Sequence, residues 1–179
     1  MEEINFTAKR HPNSANKHDQ WILDVQKKIV IIGDSNLSHI PPFRQTDLQI
    51  DSYPGAKFQH AVSLLKKVKI NPEVEVVLLS FGINERSRMP TIAQQDMELA
   101  LTTAKIAFPA AKIIVPLVTF SERLKKEEKL ALWGLNSAIA AQNCLPPLPY
   151  QDFKTQRDNI HWTGDTGKKM LEHWLAHLT

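Results

Sequence analysis

The residues in this chain that could do chemistry sit at the ends of apolar runs. Ser35 follows Lys28-Ile29-Val30-Ile31-Ile32-Gly33-Asp34 and is followed by Asn36. A serine hydroxyl is a poor nucleophile until a base takes its proton. Far downstream, Asp158-Asn159-Ile160-His161 offers a carboxylate and an imidazole three residues apart, a spacing that lets one loop carry both. Between them, the apolar run Val74 to Ser80 ends in Phe81-Gly82-Ile83-Asn84. Hydroxyl, carboxamide and carboxylate–imidazole pair are the parts of acyl transfer: nucleophile, oxyanion donor, base and orienter. Alone, Ser35 reads as a helix cap, Asp158 as a loop residue and His161 as a surface histidine. Their combination, in this order, favours the chemistry.

The elements that must position these groups alternate between short β-branched runs and longer helical patterns. Strands are expected at Ile29–Ile32, Leu48–Ser52, Val74–Leu79, Lys112–Val115 and Leu148–Phe153. Helices are expected at 56–68, 91–108, from Glu122 to about Asn143 with Ser121 as cap, and after the cap Thr163. This alternation predicts an α/β fold: a three-layer α/β/α sandwich around a mostly parallel five-stranded sheet. Ligands of such sheets bind outside the carboxyl ends of the strands. Ser35, Gly55 and Asn84 all follow strand ends, so the topology gathers them on one rim. Residues 1–20 are polar and aperiodic and read as a flexible tail or linker, with 21–179 as the folded domain. Trp21-Ile22-Leu23 reads as the anchor between them, and Trp133 and Trp174 fall on helical stripes that suit a core.

Composition narrows the function classes. With 179 residues, 42% hydrophobic and 23% charged, the chain suits one globular domain. No apolar run approaches the roughly 18 residues of a spanning helix. Met1-Glu2-Glu3-Ile4-Asn5 lacks the pattern of a signal peptide, and a single cysteine, Cys144, leaves no internal disulfide. A reducing, cytoplasmic setting is the expectation. No His, Cys, Asp or Glu cluster has metal-ligand spacing, so neither metal nor cofactor is expected. The net charge of +3 permits weak attraction to phosphates, in nucleic acid or at a membrane surface. The lysines are scattered, which falls short of a dedicated nucleic-acid footprint.

Taken together, the motifs resemble the SGNH hydrolases, or GDSL-type esterases. Gly33-Asp34-Ser35-Asn36 matches the family's first block, Gly55 its second, Gly82-Ile83-Asn84 its third and Asp158-x-x-His161 its last. Two positions depart from the pattern: Glu85 replaces the more frequent aspartate, and Asn36 replaces leucine or serine. The resemblance spans about residues 27–177. It implies a flavodoxin-like fold, a triad of Ser35, His161 and Asp158, and an oxyanion hole from the Asn84 side chain with the backbone N–H groups of Gly55 and Ser35. Within the family, the segment from Lys28 through Pro41-Pro42-Phe43 resembles the esterase domain in first-ORF proteins of LINE-type retrotransposons. That narrower likeness implies a lipid-like or short-acyl ester, a cytoplasmic setting, and nucleic-acid or self-association segments outside this domain.

The expected function is therefore a serine esterase acting on short, acetyl-like acyl groups through an acyl-enzyme. The alternatives are a nucleic-acid- or protein-binding module of a retrotransposon ribonucleoprotein with a subordinate site, and a carbohydrate deacetylase. Asp34 reads as a shaper of the turn beside the nucleophile. Arg86, with Arg88, Arg44 and Lys57, is a candidate contact on the rim for an anionic substrate, although solvated loop arginines are the commoner case. Trp162 either lines the pocket or packs under the last helix, and the sequence leaves both open. His39, four residues after Ser35, faces the site or the solvent; surface exposure is the commoner case.

Overall fold

The computed structural model describes residues 4–178. Among these residues, six strands form one sheet: β1 (Lys9–Arg10), β2 (Ile29–Gly33), β3 (Leu48–Ser52), β4 (Val76–Ser80), β5 (Lys112–Pro116) and β6 (Cys144–Leu145). Their order is β1-β3-β2-β4-β5-β6, and every pairing between neighbours is parallel. Side chains alternate across a strand, so each central strand feeds two cores. Val30 and Ile32 join Phe58, Leu64, Met97 and Leu135 on one face, while Ile31 joins Leu78, Met170 and Trp174 on the other. Helices α2 (Phe58–Lys67), α3 (Pro90–Ala107) and α4 (Lys126–Ala140) cover the first face. Helix α5 (Gly164–Leu178) covers the second. Preceding them, α1 (Lys17–Gln20) is a single turn in the N-terminal segment. The result is the expected three-layer α/β/α sandwich.

Strand β2 is the centre of the sheet and its switch point. The chain leaves β2 to pair β3 on one side and returns to pair β4 on the other. Where strand order reverses in this way, the loops at the carboxyl ends diverge and leave a crevice. Gly33 aligns with Ser52 of β3 and Ser80 of β4. Loops carrying Ser35, Gly55 and Asn84 therefore leave the sheet at one level. Gly33 is glycine because a side chain there would collide with the Ser80 carbonyl.

Four expectations are corrected. The sheet has six strands, because the segment read as a flexible tail supplies one. Lys9 and Arg10 pair with Asp51 and Ser52, His11 stacks on Tyr53 at 4.0 Å, and the Trp21 indole donates to the Pro12 carbonyl. Met1, Glu2 and Glu3 lie outside the described residues. Second, the strand expected at Leu148–Phe153 is instead Cys144–Leu145, followed by a short 3-10 turn at Tyr150–Asp152. Pro146, Pro147 and Pro149 lack the N–H a ladder requires. Third, α4 starts at Lys126, because Ser121 caps a tight turn by accepting from the Arg123 N–H. Fourth, Trp133 is 50% exposed, whereas Trp174 is core as expected.

Candidate active site

The turn after β2 is built by its own side chains. Asp34 caps the 3-10 segment Ser35–His39 by accepting from the Asn36 N–H at 2.9 Å. The Ser52 hydroxyl donates to the Asp34 carbonyl at 2.9 Å. Asp34 is thus the turn-shaper its position suggests. Burial pushes its carboxyl up to about 7, against the lowering effects of the Asn36 N–H and the charges of His161 and Arg86.

Ser35, half-buried on this turn, lies 3.2 Å from His161 Nε2. On the other side of the ring, Nδ1 hydrogen-bonds Asp158 Oδ2. Burial raises the Asp158 pKa, but bonds from the His161 ring and from the His161 and Ile160 N–H groups outweigh it and lower the pKa to about 2. An ionised carboxylate can only accept, so Nδ1 carries the imidazole proton and Nε2 is left to accept from the serine hydroxyl. That polarity is the one a base needs.

The loop carrying the pair is tightly specified. Asp158 Oδ1 accepts from the Ile160 and His161 N–H groups at 2.9 and 3.0 Å. Asn159 adopts a positive φ of 63°, a conformation asparagine tolerates better than most residues. The Gln156 N–H donates to the His161 carbonyl at 2.7 Å. Below, Thr163 caps α5 by accepting from the Thr166 N–H. The buried Asn36 carboxamide then ties this loop to the β2 turn. Its Oδ1 accepts from the Trp162 N–H at 2.9 Å and its Nδ2 donates to the Ile160 carbonyl at 3.3 Å, bracketing His161 on both sides. Sequence reasoning marked Asn36 only as a departure from the related motif.

Gly55 has φ 70°, the left-handed region, and is exposed on its turn. Asn84 Nδ2 donates to the carbonyl of Ala56, the next residue, at 2.9 Å. The second and third sequence blocks are therefore physically joined, while the hydrogen bond from Ser35 to His161 joins the first and last.

Two candidate contacts take other places. Arg86 turns inward: Nε donates to Glu128 at 3.1 Å, and Nη1 donates to the Ile83 carbonyl and Asn84 Oδ1, each at 3.1 Å. Trp162 is 5% exposed and packs edge-on against Trp174 under α5. It also lines a cavity of about 30 Å³ beneath the turn, with Asp34 and Asn36. Arg88 is likewise committed, to Glu85 and Asp96. His39 does reach the site, its ring edge-on to His161 with centroids 5.8 Å apart. Burial lowers its pKa, aided by the charges of His161 and Arg10.

An apolar flank completes the rim. Ile160, beside His161, packs with Val118 and Phe120 against Ile83, Leu124 and Leu132. Among the described residues, no three His, Cys, Asp or Glu side chains gather so as to hold a metal ion. No helix among them is long and apolar enough to cross a membrane.

Neither a family model nor a curated protein matches this sequence. Solved structures do share the fold. A member of the lipolytic protein G-D-S-L family from Veillonella parvula is similar with TM-score 0.67 and 14% identity, over 84% of this chain and 97% of that one. The lipase/acylhydrolase from Enterococcus faecalis gives 0.61 and 17%, over 86% and 95%. The aryl esterase of M. smegmatis gives 0.60 and 14%, over 86% and 100%. At such identities the likeness is one of fold, and it extends over most of each chain.

Proposed function

We propose that this chain is an SGNH-type serine esterase that cleaves carboxylic esters through an acyl-enzyme. The observation that carries the reading is the continuous line from Ser35 to His161 to Asp158, set at the switch point of the sheet. Ser35 Oγ attacks the ester carbonyl carbon while its proton passes to His161 Nε2. Asp158 holds the ring and stabilises the imidazolium as it forms. The negative charge that develops on the carbonyl oxygen is met by the Asn84 carboxamide and by the Gly55 and Ser35 N–H groups. His161 then returns the proton to the departing alkoxide, which leaves as the alcohol. Water attacks the acyl-enzyme, gives its proton to His161, and the acid departs as Ser35 regains a hydrogen.

The fold shared with structures described as lipase/acylhydrolase and aryl esterase supports ester chemistry. The apolar flank of Ile160, Val118 and Phe120 supports a substrate with a hydrocarbon part beside the scissile bond. Among the described residues, the loops that follow the strands include no long apolar lid, which favours short acyl groups over fatty ones. The sequence likeness around Lys28 to Phe43 extends the proposal to the retrotransposon esterase domains and to a cytoplasmic setting, with any nucleic-acid contact made by segments outside this domain.

The test is a panel of p-nitrophenyl esters from acetate to decanoate, with Ser35→Ala and His161→Ala beside the wild type. Turnover by wild type alone, fastest on short chains, is the expected result. A fluorophosphonate probe should add its mass at Ser35. Equal turnover by Ser35→Ala would remove the nucleophile, and an inert wild type would leave a binding module.

A further inference from the structure

Asn84 can serve an oxyanion only if its carboxamide presents nitrogen rather than oxygen to the substrate. A free asparagine amide has no such preference, since its two ends are nearly the same shape. Here Arg86 resolves the ambiguity. Its Nη1 donates to Asn84 Oδ1 at 3.1 Å, which requires oxygen at that end, while Nδ2 donates to the Ala56 carbonyl at 2.9 Å. One amide hydrogen is thereby used and the other remains for a ligand.

Arg86 is itself held. Nη1 also donates to the Ile83 carbonyl at 3.1 Å, within the same 3-10 turn. Its Nε donates to Glu128, 42 residues on, at 3.1 Å. Glu128 is in turn fixed at the start of α4, where its other oxygen accepts from the Lys125 N–H at 3.2 Å. Both members of the Arg86–Glu128 pair have side chains 22% exposed. The planar guanidinium, with donors in a rigid fork, can address three acceptors at once; a lysine ammonium cannot reproduce that geometry.

We propose that Arg86, anchored by Glu128, is a positioning residue that sets the orientation of the Asn84 amide and so switches its donor toward the oxyanion. This rests on the esterase reading above. Helix α4 thereby becomes part of the active site without touching substrate.

The test is a mutant cycle on p-nitrophenyl acetate, using Asn84→Ala, Arg86→Ala and the double variant, with Ser35→Ala as the blank. Arg86→Ala should lower kcat by about 10- to 100-fold with KM changed less than twofold, because a misaimed group loses transition-state contact rather than binding. In the Asn84→Ala background the same change should have no further effect. Glu128→Gln should move kcat the same way by a smaller factor, and millimolar guanidinium should partly restore Arg86→Ala. Loss factors that multiply in the double variant would overturn the proposal, since Arg86 would then act independently of Asn84.

The second readout needs no turnover. The two Asn84 side-chain N–H signals, followed by 15N NMR, should shift and exchange faster with solvent in Arg86→Ala. Unchanged signals would overturn the positioning role even in an active enzyme. Absence of Ser35-dependent turnover would instead remove the esterase reading, and the amide signals alone would then judge the contact.

Discussion

Replacing Asn36 by leucine tests how the base is held. Leucine keeps the branching of asparagine, and Asn36 lines a small cavity, so the change chiefly removes hydrogen bonds. It strips the Trp162 N–H of its acceptor and the Ile160 carbonyl of a donor. Trp162 is 5% exposed, so its N–H meets the full penalty of a buried unsatisfied donor, about 1–3 kcal/mol. Ile160 is only half-buried, and water can replace most of its lost bond. The sum is about 1–3.5 kcal/mol, or roughly 2–14 °C in Tm for a domain of this size. The catalytic effect follows from geometry. His161 sits between the two bracketed residues, 3.2 Å from Ser35 Oγ. A displacement near 1 Å costs as much as about 10²-fold in rate, so kcat should fall by about 10- to 100-fold while KM holds. Calorimetry and p-nitrophenyl acetate kinetics on one preparation read both. A destabilised variant with wild-type kcat would refute the reasoning, because Asp158 and the Thr163 cap would then suffice to hold the ring.

Three further outcomes are expected. Asn84→Ala should lower kcat by roughly 10²–10³ with little change in KM; a lower Tm with normal kcat would make Asn84 a structural cap instead. Asp34, raised by burial from 3.8 to about 7, keeps its proton in the folded state while the unfolded chain has released it. Stability should therefore fall as pH rises between those values. Asp34→Asn, which still accepts from the Asn36 N–H, should flatten that slope; urea melts at about pH 4.5 and about pH 7.5 that keep the wild-type difference would contradict it. Gly55→Ala places a side chain at φ 70° and should cost about 1–2 kcal/mol, read as a lower Tm.

The central strands were legible because β-branched apolar runs declare themselves, and β2 through β5 lie where such runs predict. Strand β1 was not, since two charged residues carry no period and their pairing depends on a stacked histidine and a distant aspartate. The last strand was misplaced because Leu148 to Phe153 has suitable side chains, while its prolines decide the backbone. At the site, Ser35, His161 and Asp158 have types and order that carry meaning without coordinates, and the structure brings them into hydrogen-bond contact. The supports do not. The partners of Asn36 lie 124 and 126 residues away, and a long separation leaves no local signature. Arg86 was visible as a cation near the rim, but a loop arginine reads alike whether it faces solvent or a glutamate on another helix.

The N-terminal strand has a consequence for how this protein can be shortened. Beginning the chain at Trp21 would uncover the edge of β3 and leave Asp51, 1% exposed, without His11 opposite it. The newly opened edge at Asp51 and Ser52 would offer free backbone donors and acceptors to a second molecule. As it stands, the sheet ends in Lys9 and Arg10, both exposed and only two residues long as a strand. Like charges facing each other across such a border repel, and so short a border gives a neighbour little to pair with. The segment around Lys9 and Arg10 thus shields the end of β3, and trimming it should favour association of one molecule with another through that edge.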